Sequence, residues 1–111
     1  PWVNPVTDEE NRWLVQRSFM SPDFRNATHK KWGYLACRLV KSISYGHVGI
    51  TNSPINAKFI DDTVICKPTV REMFDEGMKY KDDKELIRHQ MEVVKFKHTY
   101  VNRVNGMLKV L

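Results

Sequence analysis

Cysteine is scarce in this chain. Cys37 and Cys66 stand neither in C-x-x-C spacing nor beside a histidine pattern, so no disulfide framework is legible. A four-ligand zinc site would have to borrow from scattered histidines. Free thiols in a reducing compartment are expected. Long apolar runs are missing as well. The longest, Trp32 to Val40, is interrupted at Arg38, and nothing approaches the roughly 20 apolar residues that cross a bilayer. Glycine is sparse and never clustered into a phosphate-cradling loop, and H-E-x-x-H, G-x-S-x-G and calcium-loop patterns are absent. Internal repeats and low-complexity tracts are absent too.

What is present is charge and amphipathic periodicity. Eighteen basic residues against 13 acidic give a net charge of +5, which favours an anionic neighbour such as RNA, an acidic protein or an anionic lipid face. No acidic side chain follows Glu92, whereas Lys95, Lys97, Arg103 and Lys109 do. The apolar share of 41% and the charged share of 28% fit neither a disordered nor a membrane-embedded chain. The length allows one domain with a modest core.

The spacing predicts a single all-α domain, a small multi-helix subunit with a long C-terminal amphipathic helix and an irregular central loop. Thr7-Asp8-Glu9-Glu10 has the capping-box form, so a first helix should span about 8–20 with Trp13, Leu14 and Phe19 on its apolar side. Ser21-Pro22 resembles a second start. Phe24, Thr28, Trp32, Leu35, Leu39 and Ile43 then recur at helical intervals, predicting a helix over about 22–44 that stops at Gly46. Periodicity fades over 45–68, which reads as a loop, with an extended piece at 63–66. A loop of that length fits best if it lies along another protein. Thr69 caps a third helix, about 70–78, with Val70, Met73, Phe74 and Met78 inward and Gly77 weakening the last turn. In the longest element, about 83–108, Leu86, Val93, Tyr100 and Met107 form one column. Ile87, Val94, Val101 and Leu108 form its neighbour. Acidic residues crowd its first turn and basic residues its far end, as the helix dipole favours. His98 falls on the buried stripe, as a satisfied core or interface histidine.

Asp61-Asp62 with His47 or Cys66 is the nearest approach to an acid–base or metal group. Adjacent carboxylates followed by Thr63 fit a turn or cap better, and nothing in the sequence would orient a Cys66–His47 pair. The chain is therefore not expected to be an enzyme, and no cofactor is called for. Lys30-Lys31-Trp32 with Tyr34, and Lys95-Phe96-Lys97 with Tyr100, interleave cations with stackable rings as RNA binders do. At helical spacing, however, Trp32 and Tyr100 belong to apolar stripes, which makes the rings core and the lysines solvated.

The run Asp61-Asp62-Thr63-Val64, then Val70-Arg71-Glu72 opening a short helix, then Asp82-Asp83-Lys84, then a long helix carrying Lys97-His98, resembles a known family. It is the small matrix-side, cytochrome b-associated subunit of respiratory complex III, the type historically called the ubiquinone-binding protein. Trp32, Gly46, Gly49, Asp61, Asp62, Val70, Glu72, Asp83 and His98 occupy the family's order. The chain departs from the family at Gly77-Met78, where Leu-Pro is usual. It also carries Ile87 and Gln90 where the family's long helix is arginine-rich, and it lacks the second Leu-Pro and the acidic C-terminal segment. The resemblance implies a non-catalytic accessory subunit of the electron-transport chain. It would sit peripherally on the matrix side of the mitochondrial inner membrane, against cytochrome b and the core subunits, with its basic end near anionic lipid headgroups. Trp32, Asp61, Asp62, Lys95, Lys97, His98 and Arg103 are then the candidate partner contacts. The alternatives are a basic RNA-contacting or mitoribosomal protein, or a helical accessory subunit of another respiratory complex.

Overall fold

A computed structural model describes residues 5–35 and 37–111. Within them the chain is mostly helical: α1 (Asp8–Arg17), α2 (Ala27–Trp32), α3 (Cys37–Ser44), α4 (Pro54–Phe59), α5 (Val70–Tyr80), α6 (Lys84–Lys97) and α7 (Tyr100–Val110). Two short strands, β1 (Ile50–Thr51) and β2 (Ile65–Cys66), flank α4. None of the helices is long and apolar enough to cross a membrane.

The capping box at Thr7 forms, with Glu10 N–H donating to the Thr7 hydroxyl at 3.1 Å and Thr7 N–H donating to the Glu10 carboxylate at 2.9 Å. α1 nevertheless stops at Arg17, three residues before the expected Met20, because Ser18 turns extended and its N–H closes the last turn onto Leu14 and Val15. The Ser21-Pro22 start does not begin a helix either. Asp23 instead lies extended beside β1, bridged to Thr51, with its N–H donating to the Ile50 carbonyl at 2.8 Å. The helix expected over 22–44 is thereby divided. Asn26 caps α2 through His29 N–H, and Gly33 ends it in the left-handed conformation, φ 64°, which side chains rarely adopt. Gly46 stops α3 as expected, with φ 94°.

The largest correction concerns 45–68, which is not an irregular loop but the middle of the core. β1 and β2 pair in parallel, Ile50 with Ile65 and Thr51 with Cys66, and α4 is the crossover that parallel strands require. α4 starts on the Ser53 N-cap with Pro54 at its first position. It ends in a turn in which Asp61 and Asp62 both take φ 54°. One apolar cluster joins Leu39 and Ile43 of α3 to Ala57, Ile60, Val64 and Val94; a second joins Val48 and Ile50 to Met73. The extended piece expected at 63–66 is realised as β2; the rest was not legible, because strands of two residues each fall below any window of periodicity.

Polar side chains make the rest of this core. Asp23 and Arg25 are buried as an ion pair, with Arg25 Nε donating to Asp23 at 2.6 Å. The Asp23 carboxylate also accepts from the Thr51 hydroxyl at 3.1 Å and from the Asn56 amide at 3.4 Å. Asn52 exchanges two hydrogen bonds with the backbone of Arg25, at 2.7 and 2.8 Å. Gln90 of α6 reaches in, accepting from Gly49 N–H at 2.7 Å and donating to the Thr63 carbonyl at 2.9 Å. Except for Asn56 Oδ1, which is buried without a partner among the described residues, these groups meet partners that replace water, the condition for burying them without a large penalty.

α5 runs to Tyr80 and buries less than the sequence implied. Met73 is inward, but Val70, Phe74 and Met78 are exposed. Gly77 has a packing role: a Cβ there would lie 2.6 Å from Ile50 Cδ1 and 3.0 Å from Met20 Sδ. The long helix over 83–108 is bent, not continuous. Asp83 caps α6 through Leu86 N–H at 3.0 Å, and at Thr99 the backbone leaves helical geometry to cap α7. There Asn102 N–H donates to the Thr99 hydroxyl, and Thr99 N–H donates back to the Asn102 side chain at 2.9 Å. The Thr-x-x-Asn pattern is the local signal for this break, an amide version of the capping box.

Candidate functional site

Of the seven candidate contact residues, the structure brings three together at the bend between α6 and α7. Lys97 Nζ lies 2.5 Å from Asp61 Oδ2, and the His98 ring packs on Phe59 with centroids 4.5 Å apart. The left-handed turn after α4 is what presents Asp61 to Lys97. The hydrogen bond from Lys97 is the main influence on Asp61 and holds its carboxyl below the usual range. Burial pushes the His98 imidazole below its ordinary value of 6.5, while the Asp61 charge opposes that shift. His98 Nε2 is buried without a hydrogen-bond partner among the described residues, so His98 is only in part the satisfied histidine that its position in the stripe implied.

Arg103 joins His98 from α7: both line an apolar cavity of about 330 Å³ with Leu35, Val40, Val94, Thr99 and Tyr100. The remaining candidates lie elsewhere. Asp62 is exposed, and its charge is felt at Cys66, whose thiol is pushed up chiefly by burial. Lys95 borders a separate shallow groove with Met91 and Glu92. Trp32 stands on α2, 76% exposed with the Lys31 amine 6.0 Å from its ring.

The apolar surfaces also require correction. Trp32 and Tyr100 were expected in the core, yet Tyr100 is 77% exposed. Trp13, Leu14, Phe19 and Phe24 are exposed too. Along α7, Tyr100, Val101, Val104, Met107 and Leu108 recur at helical spacing and stay open, Leu108 at 61%. No residue of α7 is buried. The second half of the expected stripe therefore has no partner within the described chain.

Phe59, Lys41 and Val40 were missed by the sequence reasoning, since no local pattern marks a residue that meets His98 or Arg103 only across the fold. Among the described residues no three of His, Cys, Asp or Glu gather into a metal-binding group, and both cysteines are free thiols, Cys37 exposed and Cys66 half-buried. Comparison with protein-family models, curated proteins and solved structures gives no match.

Proposed function

We propose that this chain is a non-catalytic accessory subunit, held in a larger assembly by surfaces it cannot bury itself, and that the assembly is respiratory complex III. The observation that carries the accessory role is α7, an amphipathic helix with its apolar stripe open along its whole length. Exposed apolar patches of this kind mark interaction sites. The Asp61–Lys97 pair and the Phe59–His98 stack fix the root of that helix to the core. The choice of complex III rests on the order Asp61-Asp62-Thr63, Val70-Arg71-Glu72, Asp82-Asp83 and Lys97-His98, which resembles the matrix-side cytochrome b-associated subunit. In that setting α7 packs against cytochrome b or a core subunit, and the basic C-terminal end faces anionic headgroups.

The decisive experiment is affinity purification of the tagged chain from its native cells in mild detergent, with mass spectrometry of the intact assembly. Cytochrome b and the large core subunits should be recovered in fixed stoichiometry. Recovery of the chain as a free, cooperatively folded monomer overturns the proposal.

A second reading draws support from Trp32 beside Lys31 and from Phe96 beside Lys95, rings that are exposed and close to cations. These suit stacking on single-stranded RNA. That reading requires RNA binding that weakens steeply with salt and loses part of its slope when Lys95 and Lys97 are replaced.

A further inference from the structure

We propose that the two cavities flanking α3 form one site for a single anionic phospholipid, with the phosphate on one side of the helix and an acyl chain on the other. The first cavity, about 460 Å³, lies among α1, α2 and α3 and presents Arg25, His29, Arg38 and Lys41 with no carboxylate in its lining. Arg25 is buried and its charge is met by Asp23, so it offers a ligand oriented N–H groups while Arg38 and Lys41 supply positive charge to the cavity. A guanidinium oriented in advance is well matched to phosphate oxygens. The second cavity is the apolar one at His98 and Arg103, which also lacks a carboxylate. Both volumes fall in the range of pockets that enclose small ligands.

Cys37 and Lys41 line both cavities, so the cationic and apolar spaces adjoin across one helix. That juxtaposition selects the ligand class. A free phosphate would leave the apolar space wet, and a peptide would bring backbone N–H and C=O groups against the apolar surface that Leu35, Val40 and Val94 contribute to. An acyl chain makes no such demand. His98 lines the apolar cavity with its Nε2 buried and without a partner among the described residues. Burial favours its neutral form, which suits an apolar wall.

This site deepens the subunit reading and rests on it for the nearness of a membrane, but its test needs only the isolated chain. Lipid binding and co-purification with complex III can therefore fail separately. The purified chain is titrated calorimetrically with a soluble short-chain phosphatidylglycerol, with the matching phosphatidylcholine and with inorganic phosphate. One phosphatidylglycerol per chain is expected, with saturable binding. Arg38→Gln with Lys41→Gln should weaken it by at least about tenfold. Val40→Trp, which fills the apolar cavity while leaving every charge in place, should abolish saturation. If that variant misfolds by circular dichroism, Val40→Phe serves instead. Failure to saturate, many lipids per chain lost together on adding salt, or displacement by inorganic phosphate at equal concentration would each overturn the proposal.

Discussion

The central segment 47–66 and the terminal helix α7 invert what their sequences advertise. α7 repeats apolar residues at helical spacing, yet every one of them is open. The central segment shows no period, yet Val48, Gly49, Ile50, Thr51, Asn52, Ser53, Asn56, Ala57 and Ile60 are all buried. Periodicity reports that a face exists for burial; it does not report whether the same chain supplies the cover. The central residues are covered because α3, α5 and α6 converge on β1 and β2, and because Asp23, Arg25 and Gln90 satisfy polar groups that would otherwise oppose burial. α7 projects beyond that convergence.

The sharpest way to break the contrast is to attack the polar knot. Asp23→Ala leaves Arg25 buried without its carboxylate and removes an acceptor from Thr51 and Asn56. Losing one partner of a buried pair typically costs about 3–5 kcal/mol, which chemical denaturation should read directly. A loss below about 1 kcal/mol, small beside the roughly 5–15 kcal/mol that holds a domain folded, would mean that water reaches the pair. Next comes Gly49→Ala. A Cβ there would lie 2.8 Å from both Ile43 Cδ1 and Val64 Cγ1, so overpacking should cost about 1–3 kcal/mol. Gln90→Leu strips Gly49 N–H of its acceptor in the same place, and an unmet buried donor costs about 1–3 kcal/mol.

On the other side of the comparison, Val101→Ser with Leu108→Ser should change the stability of the isolated chain by no more than about 0.5 kcal/mol for each site, as surface changes do. The same pair should abolish recovery of the chain in its assembly. A large fall in stability without loss of assembly would show that α7 folds back onto the body.

The smallest effect concerns the bend. Asp61→Asn tolerates the left-handed backbone that Asp61 occupies and removes the charge that opposes the lowering of His98. The His98 titration followed by NMR should therefore move further below 6.5. The sign for stability follows from each direction. The folded value of His98 is depressed, so its contribution is complete above 6.5 and diminishes as pH falls toward the folded value. Asp61 is depressed as well, so its contribution is held above the carboxylate range near 3.8 and is lost in acid below it.

Much of the local structure was legible. The caps at Thr7 and Thr69 and the stop at Gly46 are set by backbone donors and glycine dihedrals that neighbours in sequence control. The break at Thr99 was legible in principle from Thr-x-x-Asn, and it was overridden by an unbroken apolar period. Of the candidate contacts, Lys97, His98 and Arg103 stand at the bend because they are close in sequence on either side of it. Asp61 joins them only because two left-handed residues turn the chain after α4.

By itself, then, the sequence determined a helical chain with capped elements, a basic end after Glu92 and more apolar surface than a small core can cover, since composition and short-range hydrogen bonding act within a few residues. Tertiary structure alone decided that the aperiodic middle would be buried and the most periodic helix left open. Burial depends on which distant segments converge, and neither the pairing of Ile50 with Ile65 nor the grip of Asp23 on Thr51 is written in any local pattern.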